Sequence, residues 1–133
     1  MDPQNSAGQG RDPVDRSVLA EMCGGDEAFE RRILGNLRIV TKNDAAKLRD
    51  AVENGDLAQV VRISHSIKGA SRTIGAHDLA AVCDRLESAG RAEESATIMA
   101  AMPGFGEEID RAEKWLEKAA QYVATGNDKD KTS

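Results

Sequence analysis

Apolar side chains return every three or four positions along most of this chain, the interval that lines one face of an α-helix. Pro13 to Met22 carries a short stretch of this kind, stopped by Gly24-Gly25. Asp26 then offers an N-cap to a long segment with Phe29, Ile33, Leu37, Val40, Leu48 and Val52 on one face, running to Asn54-Gly55. After the turn at Asn54-Gly55-Asp56, Val60, Ile63, Ile67, Ala70 and Ile74 gather into one apolar arc of a third segment, which ends near Ile74-Gly75. A fourth, over about 77–89, sets Leu79, Val82, Cys83 and Leu86 on one side and runs toward Gly90. From Glu93 to Ala124 the spacing continues through Met99, Met102, Phe105, Ile109, Ala112, Leu116 and Ala119, with Trp115 at the edge of the face. Pro103 removes a backbone donor inside that last segment, which predicts a kink, or a short helix followed by a longer one beginning near Pro103. No strand-like alternation is visible. Four substantial amphipathic helices with short connections predict an all-α protein, an antiparallel four-helix bundle with a short extra N-terminal helix.

The same pattern sets boundaries. Residues 1–12 are poor in apolar groups and read as a flexible lead or linker, residues 126–133 read as a flexible tail, and 13–125 read as one bundle domain. Aromatics are only 3% of the chain, so Leu, Ile, Val, Ala and Met must fill the core, which suits helices better than sheets. A net charge of −5 argues against nucleic acid, whose phosphate backbone needs a basic surface. No secretory or membrane segment is visible, so the expectation is a cytoplasmic domain with no membrane contact by this segment, though it could belong to a larger membrane-bound chain. Cys23 and Cys83 lack metal-ligand or redox spacing and read as core thiols in a reducing compartment.

One residue stands outside this packing logic. His65 falls roughly opposite the apolar arc of its helix, with Val61, Arg62, Lys68 and Gly69 one turn away and Arg72 two turns on. Exposed histidines are common, and Lys and Arg often just solvate a helix. Gly69 weighs against that reading, because glycine in an exposed helix interior costs about 1 kcal/mol relative to alanine. The compensation it suggests is access for another molecule. Arg62, Lys68 and Arg72 form a local basic patch on an acidic chain, suited to a phosphoryl group or an acidic partner site. His77, near the start of the next helix and opposite its stripe, reads as an exposed first-turn residue without a catalytic role.

The string His65-x-x-Lys68-Gly69-Ala70, followed by Ile74-Gly75-Ala76, Leu79, Cys83 and Leu86-Glu87, resembles the signature of histidine-containing phosphotransfer (HPt) domains. The match runs in register across the two central helices and their turn. The resemblance implies His65 as phosphoacceptor and Lys68 as the cation beside the phosphoryl group; by charge and position alone, Arg72 would add to it. The resemblance also implies Gly69 as the clearance for a partner, with Val61 and Arg62 on the same docking ridge, and Gly75 as the structural turn between the helices. Its partners would be response-regulator receiver domains and a hybrid sensor kinase, of which this would be the C-terminal module; a free-standing, monomeric shuttle reads equally well. The domain would take a phosphoryl group from one receiver aspartate and pass it to another, with no cofactor of its own and with Mg²⁺ supplied in the receiver.

The residues agree with a carrier rather than an enzyme. Neutral imidazole is a nucleophile without an activating base, and its P–N bond is labile enough to pass the group on. No Gly-x-x-x-x-Gly-Lys loop or Gly-x-Gly-x-x-Gly supports ATP binding. Neither histidine belongs to a hydrolase nucleophile motif, and no carboxylate stands three residues from His65 as a bundle metal site would need. A phosphorylation-independent adaptor that docks a receiver or another signalling protein is the alternative reading.

Overall fold

The computed structural model describes the backbone of residues 13–132 and the side chains of residues 13–119, that of Arg16 excepted. Every regular element among the described residues is helical: α1 (Arg16–Cys23), α2 (Glu27–Asn54), α3 (Leu57–Thr73), α4 (His77–Arg91) and α5 (Ser95–Thr132). The first three start on aspartates. Asp15, Asp26 and Asp56 accept hydrogen bonds from the amides of Ser17, Phe29 and Gln59 at 3.0, 3.0 and 3.2 Å, satisfying donors that a helix start leaves open. α2 packs on α3, α3 on α4, α4 on α5 and α5 back on α2, which closes an antiparallel four-helix bundle, while the short α1 rests on α2.

Leu34, Leu48, Val60, Leu86, Phe105, Ile109 and Leu116 are all buried to 2% exposure or less at the centre of the bundle. Each such side chain stabilises the fold by about 1.5–3 kcal/mol through removal from water. The stripes that the hydropathy pattern predicts on α4 are buried, as are Leu48, Val60, Ile67 and Ile74, but part of the buried face of α2 and α3 is shifted by one residue. On α2 the inward positions are Leu34, Thr41, Ala45, Leu48 and Ala51, while Phe29, Ile33, Leu37 and Val52 pack on the flank and Val40 is exposed. On α3 they are Val60, Ser64, Ile67 and Ser71, with Ile63 and Ala70 half-buried. Inward positions here repeat at three- and four-residue steps filled partly by small or hydroxyl side chains, so counting large apolar residues rotates the predicted face. Ser71 Oγ donates to the Ile67 carbonyl at 2.6 Å, the back-bond that lets a hydroxyl sit in a helix core.

α5 is one helix through Pro103, not a short helix followed by a longer one. Both Pro103 and Met99 are exposed, so the carbonyl that loses its donor faces water. The helix also continues over 126–132, which the sequence pattern reads as tail, since no further proline interrupts it there. The lead expected over 1–12, and Ser133, lie outside the described residues.

Gly75 closes α3 with φ 74, and a Cβ on it would lie 2.6 Å from the Cβ of Asp15. Its carbonyl accepts the Asp15 amide at 3.1 Å, so the start of α1 is pinned to the α3–α4 turn, with Val14 and Leu19 buried beside it. Only glycine satisfies both the left-handed backbone and the close approach. No helix among the described residues is long and apolar enough to cross a membrane.

Candidate functional site

His65 stands in the middle of α3 with its side chain 67% exposed, and the facing helix α4 supplies what holds it. Its Nδ1 lies 3.1 Å from Oε2 of Glu87. Glu87 occupies the inward side of α4 among Cys83, Leu86 and Gly90, and its side chain is only 7% exposed. A carboxylate so placed must be matched by cations or hydrogen bonds. Arg91, one turn on, donates to Oε2 at 2.7 Å, and the Lys68 ammonium meets the buried Oε1 at 2.7 Å as an ion pair off the hydrogen-bond direction. Lys68 also donates to Asp84 Oδ1 at 3.1 Å.

The electrostatics follow from these contacts. The Lys68 ammonium first, then Arg91, with a smaller share from His65, hold the Glu87 carboxyl down at about 2, against the upward push of burial. Lys68 is raised in turn, chiefly by Glu87 and then Asp84. Glu87 is therefore ionised at neutral pH and can only accept hydrogen bonds. The proton of a neutral His65 ring then belongs on Nδ1, and the lone pair is left on Nε2, on the side of the ring away from Glu87. Cys83, fully buried below this cluster, has its thiol pushed up to about 12 by burial, so it stays protonated and unreactive.

Of the residues singled out in the sequence, His65, Lys68 and Gly69 come together on one ridge, but Lys68 is not the open cation that spacing suggests. Its side chain is 13% exposed and turned onto α4, where two carboxylates draw it. Gly69 is exposed, and a Cβ there would meet nothing within 4 Å. Arg72 is exposed further along the ridge; Arg62 is exposed and folded back onto Gln59 Oε1 at 2.6 Å. Val61 is half-buried against Gly90, and Gly75 lies at the turn, away from His65. The sequence reading gave no role to Glu87, Asp84 or Arg91. Glu87 stands in the signature string without a role, and an acid within the apolar spacing Cys83, Leu86, Gly90 is the physical signal that points to it. Among the described residues no group of three His, Cys, Asp or Glu side chains is arranged to hold a metal ion.

Comparison with known proteins bears directly on this pair of helices. The model of the Hpt domain family matches residues 32–121, which include His65, Lys68 and Glu87 and most of the bundle. The chain belongs to the Hpt domain family. Hpt domains are the histidine-phosphotransfer modules of phosphorelays and interact with receiver domains of response regulators. The bundle also resembles the crystal structure of histidine-containing phosphotransfer protein B (HptB) from Pseudomonas aeruginosa PAO1, with a TM-score of 0.76 and 25% sequence identity over 81% of this chain and 94% of that one. No curated protein matches the chain in sequence. In this Hpt domain, then, the exposed imidazole of α3 and the buried carboxylate of α4 form the candidate site.

Proposed function

We propose that this Hpt domain carries a phosphoryl group on Nε2 of His65, taking it from the aspartyl phosphate of one receiver domain and yielding it to the aspartate of another. The observation that carries this reading is the exposed imidazole whose Nδ1 lies 3.1 Å from the buried carboxylate of Glu87. In the forward step the Nε2 lone pair forms the N–P bond as the P–O bond to the receiver aspartate breaks and its carboxylate leaves. The ring gains positive charge, which the Glu87 carboxylate 3.1 Å from Nδ1 offsets. Return transfer reverses these bonds.

The other residues take supporting roles. Lys68 and Arg91 balance Glu87 and Asp84, so the incoming phosphoryl group meets no net negative charge from the pair of helices. Arg72 adds a cation on the ridge, Gly69 gives the receiver clearance, and Val61 and Arg62 border the docking face. The receiver supplies the aspartate and Mg²⁺, and this domain supplies the accepting imidazole. The domain works as a monomer in the cytoplasm, free-standing or as a module of a hybrid sensor kinase.

Incubation with a phosphorylated receiver in Mg²⁺ tests this. The expected result is discharge of the receiver and an acid-labile, base-stable label on the domain, absent from a His65→Gln variant with unchanged helical circular dichroism. Labelling of folded His65→Gln overturns the assignment, and receiver binding without phosphoryl uptake by the native chain makes the domain an adaptor instead.

A further inference from the structure

Gly90 has a backbone that any residue could adopt, since it is not among the positive-φ glycines, yet it sits buried inside α4. Glycine at such a position weakens a helix by about 1 kcal/mol relative to alanine, so its use calls for a reason outside the helix. The neighbouring helix provides one. A Cβ on Gly90 would lie 2.7 Å from Val61 Cγ2, 3.5 Å from Val60 Cγ1 and 3.6 Å from the backbone nitrogen of Val61. Of the described helical glycines, Gly35, Gly69 and Gly106 would meet nothing within 4 Å and Gly104 only a methyl at 3.9 Å. α3 and α4 thus approach closely at Gly90, and Val61, stiff at χ1 in a helix, cannot readily turn its methyl away.

This crossing lies one turn from the chemistry on both helices. Val61 precedes His65 by one turn, and Glu87 precedes Gly90 by about one turn, so the antiparallel ladder runs from Val61 against Gly90 to His65 against Glu87 and on to Lys68 against Asp84. We propose that Gly90 is a positioning residue: by leaving room for Val61 it sets the helix spacing at which the Glu87 carboxylate reaches Nδ1 of His65. The His65–Glu87 contact is 3.1 Å, near the outer end of good hydrogen-bond geometry, so a separation of a few tenths of an ångström at the crossing weakens it. Val61 consequently acts through the spacing of the helices as well as on the docking ridge. The effect on transfer rests on the phosphocarrier reading above; the effect on the imidazole does not.

The test reads the ring directly. Nitrogen-15 NMR of the neutral His65 imidazole, recorded without phosphoryl donor, reports which nitrogen carries the proton. In the native chain the proton is expected on Nδ1. In Gly90→Ala a substantial share is expected to move to Nε2, with phosphoryl uptake slowed roughly tenfold by loss of one charge-assisted hydrogen bond. Adding Val61→Ala, which removes the clashing methyl, should return the proton to Nδ1. If Gly90→Ala does not fold, Val61→Ile crowds the same crossing by one methylene and should move the proton in the same direction. An unchanged tautomer in folded Gly90→Ala or Val61→Ile, or a shift that Val61→Ala does not reverse, overturns the proposal. A tautomer that moves as expected in a chain that takes up no phosphoryl group upholds Gly90 and sinks the carrier reading. Uptake on His65 with an unmoved tautomer does the reverse.

Discussion

Replacing Gly69 by alanine should make this protein more stable, and replacing it by leucine should make it a poorer phosphocarrier. Gly69 lies inside α3 with its backbone outside the left-handed region, it is exposed, and a Cβ built on it meets nothing within 4 Å. Alanine therefore adds its full helix preference, about 1 kcal/mol, with no clash to offset it. Unfolding a domain of ~110 residues releases about 0.23 kcal/mol per kelvin, so the melting temperature should rise by about 4 °C. Leucine keeps most of the helical gain but raises a branched side chain one turn from His65, where a receiver aspartate must approach. Its phosphoryl uptake should fall at least about tenfold, which is ~1.4 kcal/mol of lost transition-state access. Thermal melts followed by circular dichroism give the first quantity, and time courses of receiver discharge the second. An alanine variant that melts at or below the native temperature refutes the structural half of the reasoning, and a folded leucine variant that transfers at the native rate refutes the functional half. If both hold, about 1 kcal/mol of stability is forgone at this position for access, the trade-off common at functional sites.

Two further outcomes follow from groups around the site. Glu87 is depressed from the ordinary 4.5 to about 2, so the stability it contributes is fully present above about pH 4.5 and is lost as pH falls toward 2; acid denaturation of the native chain should therefore steepen in that window, and an equally steep profile in Glu87→Gln would contradict it. Ser64 is fully buried and its hydroxyl has no hydrogen-bond partner among the described residues, so Ser64→Ala should raise stability by about 1 kcal/mol in urea denaturation, and a loss of stability would mean the hydroxyl has a partner that matters.

Much of this could be read without coordinates because it depends on local chemistry. Asp26 and Asp56 begin helices where a short side-chain acceptor can meet free amides, and Gly55 and Gly75 end them where φ is positive. His65 is exposed because its place opposite the apolar arc follows from helical period alone. What escaped depends on how helices face one another. Glu87 reaches His65 across 22 residues, in a register set by Val61 against Gly90, which no spacing within one helix encodes. Lys68 has the right position but the wrong expected direction, because the carboxylates that draw it belong to α4. Ser64, Ser71 and Thr41 were hidden in the core because hydropathy treats a hydroxyl as an outward residue; of the three, Ser71 is satisfied by the Ile67 carbonyl of its own helix.

His65 sits near the midpoint of a 17-residue helix packed on both neighbours, not on a loop. Its amide is therefore among those that exchange with solvent only through large openings of the bundle, whereas binding segments usually belong to the least stable parts of a fold. The moving parts of the site are side-chain torsions, which rearrange in picoseconds to nanoseconds. No slow opening of the bundle is needed between encounter and chemistry, so on the phosphocarrier reading proposed above the pace of transfer is expected to follow how often, and how well, a receiver lands on the ridge.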